Sequence, residues 1–138
     1  MRRSYLWPST TNDQSINQSI NQSIQVVDTG LDPTHTEFDD NDSREVLNMW
    51  DFYNPVTDPK VNNDAHGHGT HCAGTVGGSS VGVAPGANIY GVKVLSDDGY
   101  GSLESILGAL EWIADRVTNG KPSVVSMSLG GVSLSNTI

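Results

Sequence analysis

Between Ile89 and Leu129 two apolar runs flank one amphipathic stretch, and that arrangement restricts the available folds more than any other feature. Ile89, Val92, Val94 and Leu95 mark one buried strand, and Val124 to Leu129 mark another. Between them Leu103, Ile106, Leu107, Leu110, Ile113, Ala114 and Val117 recur at offsets of three and four, one buried face of a helix. Ser102 stands at its start as a cap, and Asn119-Gly120 followed by Pro122 ends it. Strand, helix and strand in this order predict a right-handed βαβ unit and a parallel sheet. A third apolar segment, Ile24 to Val27, runs into Asp28-Thr29-Gly30 and reads as a buried strand with polar groups at its carboxyl end. Active sites of parallel α/β sheets collect at that end.

The other segments carry weaker signals. Leu31 to Pro59 reads as loop, with Pro33, Pro55, Pro59 and many Asp and Asn residues, and with Trp50, Phe52 and Tyr53 pinning it to the core. Asp64 is placed to cap a short helix over His66 to Gly77. Residues 1–24 differ from the rest: Asn17-Gln-Ser-Ile20 repeats as Asn21-Gln-Ser-Ile24, which predicts a disordered low-complexity leader ahead of a domain over 25–138. Met1-Arg2-Arg3 is not followed by an apolar core, so no signal peptide is visible. The net charge of −9, with seven scattered basic residues, argues against nucleic acid and anionic membranes as partners. A single cysteine forms no internal disulfide and says nothing about redox compartment.

The chemistry concentrates in Asp64 to Gly77, which holds three of the four histidines and the only cysteine, separated by small residues. A histidine there and the carboxylate of Asp28 suggest a base and the group that orients it. The spacing His66-x-His68-x-x-His71 also suits zinc, although Thr70 stands where binuclear zinc hydrolases want an aspartate beside the last histidine.

Val26-Val-Asp28-Thr-Gly30 resembles the aspartate motif of subtilisin-like serine proteases, and His68-Gly-Thr-His71-Cys-Ala-Gly-Thr75 resembles their histidine motif. Gly82-Val-Ala-Pro85, Gly91-Val-Lys-Val-Leu95 and Ser126-Met-Ser128-Leu-Gly-Gly131 are similar to three further blocks of that family, in the family's order. Cys72 and the Gly91 block look most like the proteinase K branch. The resemblance implies a three-layer α/β fold, incomplete here, with a parallel sheet and helices on both faces. It implies that Asp28 and His68 are two members of an Asp–His–Ser triad acting on peptide bonds. It further implies that Gly99-Tyr100-Gly101 and Ser128-Leu129-Gly130 clasp an extended polypeptide substrate, with Tyr100 a wall of the cleft. His71 is expected to be structural, hydrogen-bonded beneath the helix, and Cys72 a small buried thiol near His68. His66 and His35 are expected in loop and surface positions.

No cofactor is required by this chemistry and no metal ligand is assigned. Calcium stabilises many members, but the spacing of Asp32, Asp39, Asp40 and Asp42 matches no calcium loop. The resemblance implies a secreted protein with an inhibitory propeptide, which the Asn-Gln-Ser-Ile repeat replaces here.

The sequence departs from the family in three respects. The Gly-Thr-Ser-Met block that carries the nucleophile is absent; Ser126, Ser128, Ser133 and Ser135 sit in other settings. Asn136 lies too close to the Ser128 block to be the oxyanion asparagine. The distance from Asp28 to His68 exceeds the family's usual one, and the extra residues are expected in a loop over Asn48–Asn63. The 138 residues are therefore expected to be the amino-terminal part of a peptidase domain, inactive alone. Two alternatives stand beside that reading: a non-catalytic remnant that binds peptides or proteases, and the histidine-cluster zinc hydrolase.

Overall fold

The structure is a computed structural model that describes residues 22–39, 44–116 and 122–131. The elements run in chain order as β1 (Ser23–Asp28), a 3-10 turn (Thr36–Phe38), β2 (Val46–Asp51), α1 (His68–Gly77), β3 (Asn88–Lys93), α2 (Leu103–Arg116) and β4 (Ser123–Ser126). The strands form one sheet of order β2-β3-β1-β4, and every pairing is parallel. The expected βαβ segment is present, but its strands are not neighbours, because β1 lies between β3 and β4. Strand β1 begins at Ser23, inside the stretch read as a leader; the rest of that stretch, residues 1–21, lies outside the described residues.

Successive side chains of the central strands point to opposite faces, and both faces are covered. Val26 and Ile89 pack with Leu31, Phe38 and Ala73 on the α1 side. Val27 and Val92 pack with Val94, Ala109 and Ile113 on the α2 side. This is the three-layer arrangement that the resemblance implied. No helix among the described residues is long and apolar enough to cross a membrane.

Strand β2 corrects the reading of Leu31–Pro59 as loop throughout and takes the first four residues of Asn48–Asn63, while residues 52–63 carry no helix or strand, as expected of a loop. Its alternation was masked by an amide at the buried position and by a register shift between Asn48 and Trp50. Asn48 is buried because its Nδ2 donates to Leu31 O at 2.9 Å and to Val61 O at 2.8 Å, so the amide holds two loops to the sheet. Strand β4 ends at Ser126, short of the expected Leu129, where its pairing with β1 also ends.

Helix α1 starts at His68, two residues later than expected, and its cap is Gly67 at φ 88°, not Asp64. Gly67 has no side chain to satisfy the first-turn N–H groups, and Asp64 reaches them from three residues upstream. Its Oδ2 accepts from Thr70 N at 2.8 Å and Thr70 Oγ1 at 2.6 Å. Its Oδ1 accepts from Gly67 N at 2.9 Å and from Thr29 Oγ1 at 2.7 Å. Thr29 Oγ1 in turn accepts from Gly69 N at 2.9 Å, which ties the helix start to the residue after β1. A Cβ on Gly69 would overlap Gly30 O and come within 3.2 Å of Asp28 Cβ, so only glycine allows this approach.

Burial acts to raise the Asp64 pKa, but the bonds from Thr70, Thr29 and Gly67 outweigh it and hold the carboxyl below its ordinary value. A carboxyl depressed in the folded state contributes stability above its unfolded pKa and loses it as pH falls through the folded one. Asp64→Asn is therefore expected to destabilise the chain by about 2–3 kcal/mol at pH 7, because an NH₂ meets donors. Urea titrations should also show a smaller stability loss below pH 4 than in the unsubstituted chain; equal acid limbs would contradict this assignment. Gly69→Ala is expected to cost at least the ~1–3 kcal/mol of core overpacking. A change under about 0.5 kcal/mol, the size of an ordinary surface substitution, would contradict the close approach.

Candidate active site

Asp28 closes β1 and is fully buried; His68 opens α1 with its side chain 41% exposed. Thr29 N donates to Asp28 Oδ1 at 2.7 Å, and the same oxygen lies 2.7 Å from His68 Nδ1. A carboxylate only accepts, so Nδ1 carries a hydrogen, and in the neutral form of the ring Nε2 is left as the acceptor. Asp28 Oδ2 is buried with no hydrogen-bond partner among the described residues. The pair thus has the parts of a base and its orienting carboxylate.

His68 opens onto a cavity of about 980 Å³. One wall is Asp98 to Leu103 and the other is Ser128 to Gly131, so Gly99, Tyr100, Gly101, Ser128, Leu129 and Gly130 all border it. The Tyr100 side chain is 79% exposed. Gly99 has φ 80°, a left-handed backbone that favours glycine, and its Cα faces the His66 ring. Lys93 is buried below this end of the sheet, donating to Thr29 O and, at 2.9 Å, to Asp97 Oδ1.

Cys72 lies one helical turn beyond His68, with Sγ 3.8 Å from Nδ1 and 3.9 Å from Nε2. A sulfur that far from both nitrogens, and not end-on to Nε2, has no base aligned to take its proton. Burial pushes the thiol above its ordinary pKa, and the nearby Asp28 charge adds to the rise. Cys72 is thus a protonated thiol at neutral pH. The ligand-capable atoms of Asp28, His68 and Cys72 all lie within 4.8 Å of one another.

His71 is exposed and borders a separate cavity of about 650 Å³ with Asp32, His35 and Glu37, rather than being held beneath the helix. That placement also speaks against a zinc site on His66, His68 and His71. His66 and His68 border one cavity and His71 another, while His68 Nδ1 is engaged by Asp28. Asp32 Oδ1 accepts from Thr34 N and Oγ1, and neither Asp32 nor Asp39 belongs to an ion-holding group among the described residues. Asp40 and Asp42 lie outside them.

Sequence reasoning missed His66 as a wall of the cleft, 6.2 Å from the His68 ring, and Thr29 as the bridge to Asp64. The signal for the second was present in Asp28-Thr-Gly30, since a hydroxyl beside a buried carboxylate needs a partner.

Among known proteins, the chain is 41% identical over 111 residues to a cuticle-degrading protease of Metarhizium anisopliae, covering 78% of this chain and 26% of that protein. It is 40% identical over 106 residues to an extracellular serine proteinase of Thermus sp. (strain Rt41A), covering 77% of this chain and 24% of that one. The chain thus spans about a quarter of the length of these relatives. A crystal structure of a cold adapted subtilisin-like serine proteinase superposes with a TM-score of 0.66 at 40% identity, over 81% of this chain and 38% of that one. Residues 19–138 match the model of the subtilase family, and with the fold and the Asp28–His68 pair in agreement the chain belongs to that family.

Proposed function

We propose that the protein is a subtilisin-like serine endopeptidase, to which these residues supply the base, its orienting carboxylate and both walls of the substrate cleft. The observation that carries this is the 2.7 Å contact between buried Asp28 and exposed His68 at the edge of the 980 Å³ cavity. His68 Nε2 takes the proton of a serine hydroxyl as that oxygen attacks the peptide carbonyl, then returns it to the leaving amine. Asp28 holds the Nδ1–H tautomer and stabilises the imidazolium that forms. An extended polypeptide lies between Gly99–Gly101 and Ser128–Gly130 by main-chain pairing, which tolerates many side chains. The serine and the oxyanion donor come from polypeptide beyond the 138 residues. Val124 is 61% and Val125 38% exposed on opposite faces of β4, the pattern of a strand made to be covered on both sides. Secretion and an inhibitory propeptide are part of the same reading, the first supported by the extracellular Thermus relative.

In the protein continued through its serine block, His68→Ala is expected to lower turnover of a tetrapeptide anilide by about 10⁶-fold, the loss measured for a catalytic histidine of this type. Asp28→Asn is expected to lower it by about 10⁴-fold, through the wrong tautomer. The 138 residues alone should neither hydrolyse the substrate nor react with a fluorophosphonate. Turnover within tenfold of the unsubstituted enzyme in His68→Ala would overturn the assignment.

A further inference from the structure

Tyr53 follows β2 at the point where the chain turns away from the sheet, and its ring stands edge-on to Phe52 with centroids 5.4 Å apart. Its direction is set locally. Asp51 Oδ1 accepts from Tyr53 N at 2.8 Å and Asn54 N at 3.1 Å, and Phe52 N donates to Lys93 O at 3.0 Å, extending the β2–β3 ladder by one rung. This aims the phenol at the far end of β3. Its oxygen lies 3.2 Å from Val94 O and 3.2 Å from Tyr100 O.

Those two carbonyls are the two sides of a neck. Leu95 pairs antiparallel with Gly101, and Ser96 N donates to Tyr100 O at 2.7 Å, so residues 96–100 form a turn that leaves and rejoins this point. Val94 O already accepts from Ser105 Oγ at 2.9 Å. Neither carbonyl needs the phenol to be satisfied. What the hydroxyl adds is a tie between the end of β3 and the segment Gly99–Gly101. Within the turn the segment is held by the Leu95–Gly101 bridge and by the bonds Ser96 N–Tyr100 O and Gly99 N–Ser96 O, while the Tyr100 ring projects into solvent and adds no packing, so the phenol is its tie to β2.

We propose that Tyr53 is a positioning residue for peptide binding: its hydroxyl, shared between Val94 O and Tyr100 O, fixes the Gly99–Gly101 wall of the cleft relative to His68. The proposal rests on the reading of the cleft as a peptide site. One phenolic hydrogen serves two acceptors, so the tie is a single shared bond.

Tyr53→Phe removes the hydroxyl and keeps the ring. In the whole chain, amide exchange at Ser96 and Gly99 is expected to quicken by about threefold to tenfold, the net worth of one hydrogen bond, with β1 amides unchanged. Binding of a tetra-alanine peptide, followed by amide shifts at 99–101 and 128–130, is expected to weaken by the same factor. Phe52→Leu loosens the ring contact but spares the hydroxyl, and should leave peptide affinity within about twofold. Unchanged exchange and unchanged peptide affinity in Tyr53→Phe would overturn the proposal. An unsubstituted chain that shows no peptide-induced shift would overturn the peptide-cleft reading and the positioning role with it. Faster exchange in Tyr53→Phe would still support the tie.

Discussion

The first turn of α1 lies against the carboxyl end of β1 with no room for a side chain between them. Gly69 meets Gly30 backbone to backbone, and the contact is closed by Thr29 Oγ1, which accepts from Gly69 N and donates to Asp64. Asp64 completes the ring by accepting from Thr70 and Gly67. The consequence is geometric: a helix docked this closely carries its first residue, His68, to 2.7 Å from Asp28. The pair therefore does not hold itself together. It is delivered by small residues and hydroxyls that do no chemistry, the kind of support that keeps a reactive constellation at its working distance.

That support lets the site keep a feature that would be costly elsewhere. Asp28 is buried with one oxygen bonded to Thr29 N and His68 and the other without a hydrogen bond among the described residues. An unmatched buried acceptor costs about 1–3 kcal/mol. Asp64, also buried, has both oxygens filled. Two carboxylates bonded to the same helix start are thus treated in opposite ways. The filled one carries structure, and the open one faces the imidazole whose cation it would stabilise.

Much of this was legible in the residues. β1, β3 and α2 follow from apolar runs and from the three–four spacing, and their observed bounds differ from that pattern by a residue or two, but the face α2 buries is Ser105, Ala109 and Ile113, while Leu103, Leu107 and Ala114 of the expected face are exposed. Asp28 and His68 were legible because the residues around each resemble the aspartate and histidine motifs of the family; the local pattern alone left open which histidine serves. β2 was not legible, since Asn48 occupies its buried position and earns its burial only through Leu31 O and Val61 O, partners far along the chain. The start of α1 was not legible for a similar reason. Asp64 performs the cap's bonding, but a left-handed Gly67 separates it from the helix, and nothing in the local pattern distinguishes the two arrangements.

The strand order explains why the cleft runs where it does. β1 lies between β3 and β4, and all of them point the same way. Whatever follows β3 and whatever follows β4 must then emerge on either side of the residue that ends β1. The first is the turn carrying Gly99–Gly101 and the second is Ser128–Gly130, so the two walls flank Asp28 by topology before any side chain is considered. Topology sets the sides but not the spacing between a wall and His68. The β4 wall is held by Leu129 packing on the α2-side core. The β3 wall lies at the end of a turn, and its spacing falls to the bonds across its neck.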